Sequence, residues 1–189
     1  MKIGLYFGSF NPIHNGHLII ANYILNNTSL DQVWFVVSPQ NPLKKSKSLL
    51  SEHRRKHLID LCLEGEVKLK SSNVEFRLPK PSYTIDTLKY LKRKYPKHVF
   101  SIIMGGDSFS NIKKWKNYQV LLNDYEIFIY ERNEYEKKER SLPNIHFLQA
   151  PLLEISSTYI RKLIAERKSI RFLLPDIARE EINCMQYYQ

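Results

Sequence analysis

The chain has 189 residues with 29 lysines and arginines against 19 acids, a net charge of +10, and 43% hydrophobic and 25% charged residues. That length suits one α/β domain with a sizeable core, so 1–189 is read as a single domain. No apolar run approaches the roughly 18 residues of a membrane span, and the single Lys2 before Ile3 is no signal-peptide pattern, which together predict a cytoplasmic protein with no membrane partner. Cys62 and Cys184 show no C-x-x-C or zinc-type spacing and are expected as buried thiols.

The run Ile3 to Phe7 predicts a strand and Leu18 to Leu25 lies in a helix from about Gly16 to Asn26. Between them stands Gly8-Ser9-Phe10-Asn11-Pro12-Ile13-His14-Asn15-Gly16-His17, which makes the junction a tight glycine-bearing turn. The free N–H groups and positive dipole end of the following helix attract anions, and a phosphate fits there. His14 and His17 are three residues apart and add imidazole donors at the same place. A surface turn with capping histidines is the plainer reading, but two glycines, a proline and two histidines at fixed spacing favour a phosphate site.

Val33 to Val37 predicts a second, buried parallel strand, joined to the first by a right-handed βαβ crossover whose ligands lie at the carboxyl ends of the strands. Ser38 to Lys47 is a proline-containing loop whose lysines can reach a phosphate from that edge. Ser51 to Leu63 is helical, with Leu58, Ile59, Leu61 and Cys62 inward and Arg54 in its first turn. Val67 to Phe76 is an extended segment that includes a strand, and a helix runs from Ser82 or Tyr83 to about Tyr95 with Leu88 and Leu91 inward.

Val99 to Met104 is a buried strand that delivers Gly106 and Asp107 at its end. There the aspartate can bind ribose hydroxyls, or serve only as an N-cap. Tyr125 to Tyr130 and Ile145 to Leu148 complete the strands, the charged run Glu131 to Arg140 between them being a mobile loop. Ile155-Ser156-Ser157-Thr158 then opens a helix in which Arg161 follows Thr158 by three residues. The three hydroxyls could be only a capping run, but with this spacing hydroxyls, N–H groups and guanidinium can converge on one phosphate. Pro175 to Met185 is a supporting helix.

The string H-N-G-H at positions 14–17 with I-S-S-T-Y-I-R at 155–161 resembles the signature pair of the H-x-G-H nucleotidyltransferase superfamily. The intervening P-S-Y-T-I-D-T-L at 81–88 is similar to a marker of its bacterial nicotinate mononucleotide adenylyltransferase branch. The resemblance implies a Rossmann-like doubly wound parallel sheet with helices on both faces. It also implies transfer of AMP from ATP to nicotinate mononucleotide, giving nicotinate adenine dinucleotide and pyrophosphate. It assigns catalysis to His14, His17, Lys44 and Arg161, and ATP binding to Gly8, Ser9, Phe10, Gly16, Gly106, Asp107, Ile155, Ser156, Ser157 and Thr158 besides. Lys44, Arg54, Tyr83, Thr84 and Trp115 then belong to the acceptor, with the pyridine carboxylate on the N–H groups at Tyr83 and Thr84 and the ring on Trp115. Relatives often carry a histidine where Leu43 stands.

No protein nucleophile is needed, because an acceptor phosphate with a second pKa of about 6 is largely dianionic at neutral pH. Mg2+ is expected to arrive with ATP, held by phosphate and water, with no metal ligands assigned to the protein. The alternatives are transfer to nicotinamide mononucleotide or phosphopantetheine, or a basic nucleic-acid-binding Rossmann-like protein. The scattered lysines and arginines lack an aromatic-basic motif and argue against a specific nucleic-acid partner. The sequence leaves a homo-oligomer open.

Overall fold

A computed structural model describes residues 1–39, 49–130, 142–151 and 153–189. The strands are β1 (Lys2–Gly8), β2 (Gln32–Val37), β3 (Leu69–Ser72), β4 (Val99–Gly105), β5 (Ile127–Tyr130) and β6 (Ile145–Leu148). They form one sheet in the order β3-β2-β1-β4-β5-β6, and every neighbouring pair is parallel. The helices are α1 (Asn15–Asn27), α2 (Glu52–Cys62), α3 (Thr84–Lys94), α4 (Gly106–Phe109), α5 (Tyr118–Asp124), α6 (Ser157–Ala165) and α7 (Asp176–Cys184), with 3-10 turns at Val74–Arg77 and Ile112–Lys114. This is the Rossmann-like doubly wound order expected of a parallel sheet that needs long crossovers between its strands.

Period-two alternation along the strands feeds two separate cores. Tyr6, Phe35, Ile103 and Phe128 face one side, where they pack with Ile20 and Ile24 of α1, Leu58 and Ile59 of α2, Ile160 of α6 and Ile182 of α7. Leu5, Val36, Ile102, Met104, Ile127 and Ile129 face the other, against Ile85, Leu88 and Leu91 of α3 and Leu121 of α5. Both faces are covered, so the strands carry continuous apolar runs rather than a polar outer face.

The expected extended segment from Val67 to Phe76 narrows to β3, after which the chain tightens into the 3-10 turn. Helix α5 had no distinct signal in the sequence. Asp107 lies inside the first turn of α4, whose N-cap is Gly105, so it is not a capping residue. Cys62 is half-buried and its thiol is pushed up to about 12 by desolvation, whereas Cys184 is exposed and not the buried thiol expected. The loop lysines including Lys44, Leu43 and the connector at 131–140 lie outside the described residues. Among the described residues no helix is long and apolar enough to cross a membrane.

Candidate active site

The chain runs outward from β1 through β2 to β3 and returns to β4 on the opposite side of β1, so the carboxyl ends of β1 and β4 flank a switch point where ligands can enter. A crevice of about 1020 Å³ opens there, with Gly8 and Gly105 in its floor. That volume is at the upper end of the roughly 300–1,000 Å³ usual for small-molecule sites. Both glycines stand in close packing, tightest at Gly8. A Cβ on Gly8 would stand 2.8 Å from the Phe10 ring, and one on Gly105 would stand 3.2 Å from the ring of Tyr130.

At one end of the crevice is the turn after β1. Phe10 is in the left-handed region at φ 46 and only 2% exposed, so its ring folds back over Gly8 into the core and the turn presents backbone rather than that side chain. His14 donates its backbone N–H to Nδ1 of His17 at 3.3 Å. A neutral His17 ring that accepts at Nδ1 carries its proton on Nε2 and is a donor there. His14 itself is 5% exposed and stacks on His17 with centroids 3.7 Å apart. Phe10 and Tyr6 hold the other sides of the His17 ring edge-on at 5.0 and 6.1 Å. Gly16 makes room for this arrangement, since a Cβ there would lie 3.1 Å from Nδ1 of His14.

The start of α6 closes over the same turn. Arg161 donates from Nη1 to the Asn11 carbonyl at 2.7 Å and from Nη2 to the Thr158 hydroxyl at 3.3 Å. The Ser157 hydroxyl donates to the Pro12 carbonyl at 2.8 Å, and Ser156 Oγ caps the helix by accepting from Tyr159 N–H. Of the three hydroxyls expected to meet a phosphate, Ser157 thus spends its proton inside the protein, whereas Ser156 and Thr158 accept in these bonds and keep theirs. Ser157, Thr158 and Arg161 stand at the crevice wall.

At the other end stand Tyr83, Thr84 and Trp115. Helix α3 starts at N-cap Tyr83 without a side-chain cap, while Asp86 and Thr87 N–H already bond the Tyr83 carbonyl. The N–H groups before them have no partner within the helix, and Tyr83 and Thr84, which carry two of them, line the crevice. Lys116, next to Trp115, pairs with Asp86 at 2.8 Å and lies over the Tyr83 ring at 4.8 Å. Glu75 and Ser82 also border the crevice beside the helix start, Glu75 being only 2% exposed and accepting from Ser82 at 2.6 Å and from Thr87 at 2.9 Å. Desolvation raises its carboxyl above the ordinary range, while the bonds from Ser82, Thr87 and Ser38 pull it partly back.

Of the residues singled out in the sequence, Gly8, Ser9, Phe10, His17, Gly106, Asp107, Ser157, Thr158 and Arg161 line this crevice together with Tyr83, Thr84 and Trp115. His14, Gly16, Ile155 and Ser156 stand behind that lining, the notional Gly16 Cβ being 4.0 Å from the Ile155 carbonyl. Arg54 does not reach it. It is exposed and sits 5.3 Å over the Tyr187 ring, because α2 turns its neighbour inward instead. That neighbour, Arg55, is fully buried and donates to the carbonyls of Ser9, Ser38, Pro39 and Leu50, bracing the turn from below. Arg55 and Glu75 were both missed. Arg55 was detectable as a charge in register with Leu58 and Ile59, whereas nothing local marks Glu75.

A family model described as cytidylyltransferase-like matches residues 5–163. Proteins named "Probable nicotinate-nucleotide adenylyltransferase" are 50% identical in Flavobacterium johnsoniae and 48% identical in Flavobacterium psychrophilum, each over the whole of both chains. A third so named, from Cytophaga hutchinsonii, is 48% identical over all of this chain and 98% of its own. Two solved structures of Plasmodium falciparum nicotinic acid mononucleotide adenylyltransferase share the fold, one complexed with NaAD and one with APC. Their TM-scores are 0.82 and 0.80 at 23% identity, over 99% of this chain and 97% and 96% of those chains. The match across both ends of the crevice and the full-length identity to these relatives make the chain a member of the cytidylyltransferase-like family, in its nicotinate-nucleotide adenylyltransferase branch.

Proposed function

We propose that the protein transfers AMP from ATP to nicotinate mononucleotide, releasing pyrophosphate and forming nicotinate adenine dinucleotide. The observation that carries this is one crevice with two different anion-binding ends: the histidine-bearing turn facing α6, and the uncapped start of α3 beside Trp115. The names of the relatives point the same way. ATP lies along the first end, with its triphosphate toward His17, Thr158 and Arg161 and its ribose toward Gly106 and Asp107. Ser157 lines that end as well, while His14, Gly16, Ile155 and Ser156 shape it from behind. The acceptor lies along the second end, its carboxylate on the N–H groups at Tyr83 and Thr84 and its ring against Trp115.

The acceptor phosphate attacks the α-phosphorus in line, its oxygen forming the new P–O bond as the bond to pyrophosphate breaks. Because the nucleophile is already anionic, the protein supplies position and charge stabilisation rather than a base. His17 Nε2–H and the Arg161 guanidinium are preset donors for charge developing on the departing oxygens. Among the described residues no three His, Cys, Asp or Glu side chains are grouped to hold a metal ion. Mg2+ bound to ATP fits this donor set if phosphate and water hold it, where it neutralises triphosphate charge. Lys44 is assigned to the same phosphates on the resemblance alone.

The test is pyrophosphate release with ATP and a panel of nicotinate mononucleotide, nicotinamide mononucleotide and phosphopantetheine. Highest efficiency with the nicotinate acceptor is expected. Turnover only with phosphopantetheine, or none with any acceptor, overturns the reading.

A further inference from the structure

Glu75 stands on the 3-10 turn after β3, and its carboxyl gathers three hydroxyls that the sequence keeps far apart. Ser82 donates to Oε2 at 2.6 Å and Thr87 to Oε1 at 2.9 Å, while Ser38, just past the end of β2, lies close enough to the same carboxyl to lower its pKa. Ser38 N–H is in turn bonded to the Gly8 carbonyl at 2.9 Å. One buried carboxyl thus ties together residues on both sides of Tyr83 and Thr84, beside the chain that leaves β2.

The consequence is chemical as well as geometric. A serine just ahead of a helix commonly bonds N–H groups two or three residues on, which for Ser82 would be those of Thr84 and Ile85. Here the Ser82 hydroxyl is drawn to Glu75 and is 8% exposed, and Tyr83 provides no side-chain cap. Among the described residues no side chain caps the helix start, whose first residues Tyr83 and Thr84 line the crevice.

We propose that Glu75 is a positioning residue for acceptor specificity. It holds Ser82 away from the first turn of α3, so that the N–H groups at Tyr83 and Thr84 stay available to an acceptor carboxylate and the self-capping serine cannot compete. This rests on the acceptor assignment made above and adds the residue that enforces it. Glu75 touches no reacting atom, and its effect belongs to acceptor binding and to the choice between acid and amide.

The experiment compares steady-state constants for ATP, nicotinate mononucleotide and nicotinamide mononucleotide in the wild type, Glu75→Ala and Glu75→Ala/Ser82→Ala. In Glu75→Ala the freed serine caps the helix, and KM for the nicotinate acceptor rises about tenfold, the cost of one hydrogen bond to a charged group. KM for ATP stays within about twofold of wild type on the same ground, because no contact at that end has changed. The acid-over-amide ratio of kcat/KM falls by a similar factor to the rise in acceptor KM. Removing the serine hydroxyl in the double variant then restores part of the lost affinity, which a purely structural role for Glu75 would not allow.

Should Glu75→Ala fail to fold, Glu75→Gln keeps one acceptor oxygen and is expected to shift the same ratio about threefold in the same direction. A folded variant with an unchanged acid-to-amide ratio overturns the inference. So does a parallel rise in both substrates' KM, or a double variant weaker than the single. A wild type without turnover on nicotinate mononucleotide would instead refute the functional reading itself.

Discussion

The two ends of the crevice are held by different physics. At the turn after β1, the carbonyls of Ser9, Asn11 and Pro12 each receive a side-chain donor from a remote segment: Arg55 of α2, Arg161 of α6 and Ser157 of α6. Asn15 N–H adds a bond to the Leu173 carbonyl at 3.0 Å, and Leu50 N–H bonds the Asn11 side chain at 3.2 Å. At the start of α3, by contrast, the Lys116–Asp86 pair has both partners largely exposed, at 45% and 39% of their side chains. Exposed pairs of that kind contribute about 0–1 kcal/mol. Glu75 is the buried tie there.

The difference suits the assigned chemistry. Bond exchange at phosphorus needs donors fixed before the reaction, because a donor that must reorganise loses its advantage. Acceptor recognition tolerates a softer frame. Substitutions at the first end are therefore expected to fall on kcat and stability, and those at the second on acceptor KM.

The sharpest break in that comparison is His17→Ala. Its ring is clamped among His14, Phe10 and Tyr6, with Nδ1 occupied by the His14 N–H, so Nε2–H is aimed without a further conformational choice. Loss of one preset donor to developing charge costs about a hundredfold to a thousandfold in kcat. Steady-state turnover of the folded variant checks this, and half of wild-type kcat would remove His17 from the chemistry.

Next is Arg55→Met, which keeps length and apolar volume but strips donors from four carbonyls. Exchanging a buried charge for a hydrophobe is often neutral when its ionic partner leaves with it, but these partners are backbone and remain. Each buried group left without a partner costs about 1–3 kcal/mol, and partial hydration recovers some of it. A net loss near 3 kcal/mol lowers Tm by about 6–12 °C for a chain of this size. A variant that melts with the wild type would show that the turn is held without Arg55.

How much of this was legible follows from where each signal resides. The turn from Gly8 to His17 could be read because all its chemistry lies within ten consecutive positions. The same locality made the starts of α3 and α6 visible. Arg54 was chosen over Arg55 by position in similar sequences, although helical spacing from Leu58 and Ile59 places residue 55 on the inward face. The cap made by Ser156 was open to reading, as a serine at a helix start, whereas the engagement of Ser157 was not, because its hydroxyl bonds a carbonyl 145 residues away. Glu75 was illegible for a similar reason: Ser38, Ser82 and Thr87 meet only once β2, the 3-10 turn and α3 have packed.

Arg161→Lys tests how far the stiffness of the first end resides in a planar fork. The guanidinium holds the Asn11 carbonyl with one nitrogen while the other is near Thr158, a geometry that a single ammonium cannot reproduce. Loss of one charge-assisted bond of about 1.4 kcal/mol in the transition state gives a roughly tenfold fall in kcat, with a smaller change in acceptor KM. Equal kcat in the lysine variant would mean that charge alone matters at this position.

The smallest expected effect, at the softer end, is that of Trp115→Ala. Trp115 is half-buried on the crevice wall, with its backbone N–H held by the Ile112 carbonyl at 2.9 Å, so the side chain can be removed without opening the 3-10 turn that carries it. An aromatic contact of this kind contributes about 0.5–1.5 kcal/mol beyond area burial, which translates into a rise in acceptor KM of about 2–10-fold. Stacking reads the pyridine ring and hardly senses whether its substituent is a carboxylate or an amide, so the nicotinate and nicotinamide acceptors should weaken together. The wild type should favour the acid, because the open helix start offers donors and a positive dipole end, to which an amide brings donors of its own. Measuring kcat/KM for both acceptors in wild type and Trp115→Ala separates ring recognition from carboxylate recognition. A change in their ratio would place Trp115 in the choice assigned to the start of α3, and a wild-type preference for the amide would overturn the reading of that helix start.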